Sequence, residues 1–153
     1  MGSRRTLKLT EMAEDSFDLQ RFVSAQSLAW DNACAELREG RKQTHWMWFV
    51  FPQLAELGRS ATAKFYGLSG ADEARAYLAH PILGERLKTC CAILLQLHQR
   101  SAVEIFGTID AMKLRSCLTL FAAVSRDEPV FAECLLRYFG GKSDPMTLSL
   151  VAA

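Results

Sequence analysis

Apolar residues recur three and four positions apart along the chain, and glycine or capping residues separate the runs. That pattern is the signature of amphipathic helices joined by short connections. The first run opens at Ser16-Phe17-Asp18-Leu19 and continues to Arg38-Glu39, with Phe22, Ala25, Leu28, Ala29, Ala33 and Leu37 towards one face and Gly40 as its stop. Ser69 and Asp72 have capping-box spacing before a short helix to Ala79, and Pro81 suits the first position of a helix to about His98. Its inward stripe is Leu83, Leu87, Cys90, Cys91, Leu94 and Leu97. Ser101 and Glu104 repeat the capping-box pattern, Gly107 interrupts, and Thr108 or Asp110 starts a helix to Val124. Asp127-Glu128-Pro129 opens the next, carrying Val130, Phe131, Cys134, Leu135, Tyr138 and Phe139 before Gly140-Gly141, and Asp144-Pro145 caps a last short helix. No stretch alternates with period two over a strand's length, and no Asn-Gly or Asp-Gly turn occurs. The pattern predicts an all-α, single compact domain of about seven helices spanning residues 15–153.

One segment breaks the amphipathic pattern. Residues 40–53 read GRKQTHWMWFVFPQ. Thr44 is placed to cap a helix beginning at His45, and Pro52 forces Phe51 out of the helical region, so the helix is about two turns long. Trp46 to Phe51 are apolar in every direction around it, which requires burial on every side and makes this short aromatic helix the expected centre of the core. The polar residues at its ends are then candidates for a site. Arg41, Lys42 and His45 stand near the helix N-terminus, where free N–H groups favour an anion. Gln53 and the Gly58-Arg59-Ser60 turn follow the other end, with Ser60 placed to cap a helix through Lys64-Phe65-Tyr66. In this reading Arg41, Lys42 and Arg59 hold an anion. Trp46 or Trp48 stacks a ring, and His45 is a weak catalytic candidate as hydrogen-bond donor or general acid/base.

Charge sharpens that reading. Eighteen basic and seventeen acidic residues leave the whole chain at +1, which argues against a general attraction to nucleic acid. Residues 38–64, however, carry Arg38, Arg41, Lys42, Arg59 and Lys64 against Glu39 and Glu56, a local +3 without the basic helix stripe that nucleic acid requires. At 153 residues and 50% apolar content, the chain is neither disordered nor a disulfide scaffold. Five cysteines, all in apolar helical stretches, read as small buried hydrophobes in a reducing compartment, which makes cytoplasm the expected address. No Cys/His spacing fits a metal site, no cofactor motif or catalytic signature occurs, and no apolar run suits a membrane span. Residues 1–14 read as a basic, mobile leader outside the fold. Lys113 and Ser116 share a helix face, and a hydrogen-bonded partner is expected for Ser116. His80 reads as a capping or packing residue, and His98 as exposed at a helix end.

The sequence resembles the bacterial family catalogued as domain of unknown function 1810, whose members are sometimes labelled calpastatin. The residues carrying the resemblance are Arg21-Phe22 with Ala25-Gln26, GRKQTHWMWFVFPQL at 40–54, Gly58-Arg59-Ser60, EARAYLAHPILGERL at 73–87, Phe106-Gly107, KLRSCLTLF at 113–121 and Tyr138-Phe139-Gly140-Gly141. It covers roughly residues 17–150 and implies an all-helical single domain, with no activity, cofactor or site residue to carry over. The calpastatin label fits poorly, because such inhibitors are disordered polar chains and this one has a sizeable apolar core. Two functional expectations stand. The first is a binding domain, with enzymatic activity left open, for a small anionic or nucleotide-like ligand. The alternative is a non-catalytic protein-interaction or structural module; the oligomeric state is left open by the sequence.

Overall fold

In a computed structural model, which describes residues 15–152, eight α-helices follow one another: α1 Gln20–Glu39, α2 Met47–Val50, α3 Ala61–Phe65, α4 Ala71–Ala79, α5 Leu83–Gln96, α6 Ala102–Val124, α7 Pro129–Phe139 and α8 Pro145–Ala152. The expected leader at 1–14 lies outside the described residues. A 3-10 turn, Ala55–Leu57, precedes α3. The sole β pairing among the described residues is an isolated parallel bridge between Leu54 and Leu68. Helices α4 and α7 each pack against both α5 and α6, α1 packs on α5 and α2, and α8 rests on α6. The core therefore runs through α6, where Ser116 to Phe121 are buried without interruption. A helix can be buried on every side only when neighbours cover every side, and α4, α7 and α8 do so here.

Most ends fall where capping chemistry puts them. Gly40 and Gly140 close α1 and α7 in left-handed conformations. Ser101 and Glu104 form the reciprocal capping box of α6, and the Ser60 hydroxyl accepts from the Ala63 amide at 3.1 Å. Gly107, at φ 81° and ψ 167°, leaves the helical region and kinks α6. Gly84 is required for another reason: a Cβ there would stand 1.9 Å from the Leu78 carbonyl oxygen, so α4 and α5 meet too closely for any side chain. His80 caps α5, its Nδ1 accepting from the Ile82 and Leu83 amides.

Three expectations change. Helix α1 begins at Gln20 because Asp18 takes φ 56°. Its buried face runs through Phe22, Gln26, Ala33, Glu36 and Leu37, whereas Leu28, about 200° around the helix from Gln26, is 91% exposed. Glu73 supplies the acceptor before α4, taking the Ser69 amide at 2.8 Å, while Asp72 pairs with Arg75 at the surface. The aromatic helix is a single turn, Met47–Val50, and Thr44 does not cap it.

The reason is Glu36. Its carboxylate is nearly buried and accepts from the amides of Gln43 (2.7 Å) and Thr44 (2.9 Å), the Thr44 hydroxyl (2.6 Å) and the Trp46 indole (3.0 Å). Both donors of Thr44 are thus consumed on α1, and Trp46 stands just ahead of the helix at φ −137° and ψ 4° with its ring buried. Trp46, Met47, Val50 and Phe51 are at most 2% exposed, as the all-round apolar pattern requires, but Trp48 is only half-buried.

Two further polar networks lock α1. Arg21 donates to the Phe17, Asp18, Phe65 and Gly67 carbonyls and to Glu73 at 2.9 Å, so a nearly buried guanidinium is saturated. The Gln26 amide donates to the Phe49 carbonyl (2.7 Å) and the Tyr77 hydroxyl (3.0 Å), and accepts from Arg86 (3.3 Å).

Burial by itself raises the Glu36 pKa, but the four hydrogen bonds outweigh it and hold the group at about 2, against an ordinary 4.5. Because the folded value lies below the unfolded one, the stabilisation is complete above about pH 4.5 and is lost as pH falls towards 2. Glu36→Gln is therefore expected to lower stability by about 3 kcal/mol at neutral pH. In urea denaturation the gap between wild type and variant closes as the solution is acidified through that window; a gap independent of pH contradicts the assignment.

Candidate functional site

An open groove of about 720 Å³ runs between the Gly58–Ala63 segment and the kinked end of α6. That size suits a metabolite-sized molecule. Gln53, Arg59, Ser60, Lys113, Ser116 and Asp144 contribute its polar lining. Ile109, Met112 and Met146 supply an apolar wall while remaining 73%, 67% and 59% exposed. Large apolar side chains left in water around a concavity mark a binding surface more often than an idle one.

Each polar residue has a local reason for its place. Ser60 is fixed as the cap of α3. Lys113 and Ser116, one turn apart on α6, face the groove together. The Ser116 hydroxyl reaches the Met112 carbonyl (3.2 Å) and Asp144 (3.3 Å), the hydrogen-bonded partner expected for it. Asp144 also accepts from the Thr147 amide and hydroxyl, and its own amide donates to Thr119. Arg115 points away and holds the Lys142 and Ser143 carbonyls, fastening the segment that carries Asp144. Among the described residues Arg59 has no ion-pair partner, so its guanidinium stands available at the groove's edge.

The sequence candidates separate into three groups. Gln53, Arg59 and Ser60 share the groove. Trp48 lies at the groove's inner end, where a hole of about 10 Å³ is lined by Met47, Trp48, Phe51 and Tyr66 together with Gln53, Ala63 and Lys113. Lys42 and Trp46 are committed to the fold: the lysine, 8% exposed in its side chain, pairs with Asp110 at 2.9 Å, and the indole is spent on Glu36. Arg41 and His45 are exposed and line neither cavity; the His45 ring lies 6.5 Å from that of Trp48. The two ends of the aromatic segment therefore do not converge on one pocket. The reason again is Glu36, which turns residues 43–46 towards α1.

What the sequence could not announce is a charge triad beside the hole. Asp110 bridges Lys42 at 2.9 Å and Lys113 at 3.6 Å, and the two ammonium groups stand 5.2 Å and 5.3 Å from the ring centroids of Trp46 and Trp48. Two cations sharing one carboxylate leave a net positive charge at the inner end of the groove. Lys42 reaches Asp110 from a distant part of the chain, and only the i, i+3 spacing of Asp110 and Lys113 hints at the link.

No group of three or more His, Cys, Asp or Glu residues is placed to hold a metal ion among the described residues, and none of the described helices is long and apolar enough to cross a membrane. The five cysteines are buried and unpaired. A hydrogen bond from Cys90 brings the Cys34 thiol down to about 7, against its burial and with help from Arg38. That pair sits between α1 and α5, away from the groove.

Asp110→Asn is expected to strand both half-buried lysines and to lower stability by about 2 kcal/mol. Added salt recovers part of that loss by screening the two cations. Chemical denaturation at low and high ionic strength measures both effects; an Asp110→Asn protein as stable as wild type contradicts the triad.

No curated protein matches this chain. Among solved structures it is similar to the crystal structure of the conserved hypothetical protein Rv1873 from Mycobacterium tuberculosis. The two share 48% identity and a TM-score of 0.89, over 91% of this chain and 99% of that one. The model of the family described as protein of unknown function (DUF1810) matches residues 16–151. The chain belongs to that family.

Proposed function

We propose that the groove is a binding site for a small molecule bearing one anionic group on an apolar body. The observation that carries this reading is the coexistence, in one concavity, of the Arg59 guanidinium, which has no ion-pair partner among the described residues, and the partly compensated Lys113 with the exposed Ile109, Met112 and Met146. A guanidinium offers a fork to an oxyanion, and flexible methionines adapt to an apolar body. Asp144 is the opposing charge, but one of its carboxylate oxygens is already occupied by Thr147 and Ser116. Anion binding keeps its support in this geometry. The nucleotide-like version loses its stacking wall, because Trp46 is buried and Trp48 carries Lys113 over its ring. The Ser116 hydroxyl beside Asp144 also meets the Met112 carbonyl, and the Asp144 oxygen it reaches is shared with Thr147, so what this geometry supports is binding.

A second reading has its own support: the same exposed Ile109 and Met112 suit an interface with another protein. Thermal unfolding separates the two. Hexanoate or hexyl phosphate at tenfold excess over Kd is expected to stabilise the protein by about 1.4 kcal/mol, a rise of about 4 °C in Tm, while neutral hexanol gives none. Arg59→Ala keeps the unliganded Tm and abolishes the rise. Equal shifts from hexanol, or none from either anion, overturn the proposal. A concentration-dependent dimer lost in Ile109→Asp favours the interface instead.

A further inference from the structure

Resting on that reading of the groove, we infer that the small hole at its inner end selects the head group, admitting one oxygen of a carboxylate and rejecting a phosphate. The hole of about 10 Å³ holds about one water. Met47, Trp48 and Phe51 wall it, all belonging to the segment that Glu36 pins, so it cannot widen without disturbing the core. Gln53, Tyr66 and Lys113 contribute its polar side chains. Every buried side-chain N or O among the described residues has a partner. The Gln53 amide and the Tyr66 hydroxyl, which meet no partner among the described residues, therefore face open space.

Gln53, Ala63 and Lys113 line both the hole and the groove, so the two spaces adjoin. A molecule lying along Ile109, Met112 and Met146 can therefore put its head group at the Gln53–Lys113 junction. A planar carboxylate can leave one oxygen in the hole, where it meets the Gln53 amide, and keep the other towards the groove's cations. A tetrahedral phosphate presents three oxygens at the same opening, and the rigid aromatic wall leaves no room for the rest. Charge alone points the other way: the net positive inner end favours a phosphate dianion over a carboxylate. A preference for carboxylate therefore reports the hole and not the field. The ligand class is a monocarboxylic acid with a short apolar tail.

The test titrates wild-type protein with hexanoate and with hexyl phosphate, which share a tail, and follows the Trp48 indole resonance by NMR alongside calorimetric affinity. Hexanoate is expected to bind about tenfold more tightly and to shift that resonance. Gln53→Leu, which keeps the side chain's bulk and leaves the backbone bond between Gln53 and Leu68 in place, removes the preference while hexyl phosphate binds as before. Equal affinities, a tighter hexyl phosphate, or a hexanoate preference unchanged in Gln53→Leu overturns the head-group inference. When Arg59→Ala still weakens both ligands in those cases, the groove proposal survives. Binding of neither ligand overturns both. The wild-type comparison stands even should Gln53→Leu fold poorly.

Discussion

A single carboxylate organises the part of this protein that is unlike an ordinary helical bundle. Glu36 sits on the buried face of α1, where an unpaired charge is untenable, and its charge is matched by donors from Gln43, Thr44 and Trp46. Once Trp46 is drawn to it, the rest of the aromatic segment has little freedom. Met47–Val50 makes one turn, and Phe51 packs edge-on to Phe106. Trp48 is left facing the side where Lys113 and the groove lie. From there Asp110 couples Lys113 to Lys42, next to the loop that Glu36 holds. The inner end of the groove is therefore built on the same charge that closes the core.

Local chemistry made most of the fold legible. Capping residues and apolar spacing located nearly every helix from Gln20 onward, because those signals act within a turn of the residue that carries them. Leu28, Gln26 and Glu36 show where such reasoning stops. An apolar residue predicted inward is exposed, and two polar residues occupy the core face, because their partners lie on other elements: Phe49 and Tyr77 for Gln26, the 43–46 loop for Glu36. Helical periodicity weighs side chains by hydrophobicity and cannot see a tertiary acceptor or donor. Helix α2 is shorter than its sequence suggests for the same reason, since Thr44 has two possible roles and its tertiary partner decides between them.

The candidate site divides along that line too. Gln53, Arg59 and Ser60 were identifiable because a proline, a turn and a cap fix their local geometry, and they share the groove. Arg41 and His45 would join them only on a longer helix with a free N-terminus, which the Glu36 contacts remove. The opposite wall came from α6 and the start of α8. It had a signal in the paired positions of Lys113 and Ser116, but nothing local said which surface they would meet. Net charge was the least informative quantity: +1 overall conceals a groove edged by Arg59 and Lys113. The kinship with Rv1873, alike over nearly the whole of both chains, concerns the fold and carries no assigned activity.

The dependence of this architecture on the Glu36 charge is open to direct observation. A carbon-detected NMR titration of the Glu36 side-chain carboxyl in the folded protein reads its ionisation without reference to global stability. The account predicts a midpoint near 2, with the indole N–H signal of Trp46 following the same titration. A midpoint at the ordinary 4.5, or an indole signal indifferent to it, would contradict the claim that this buried carboxylate holds the aromatic segment in place.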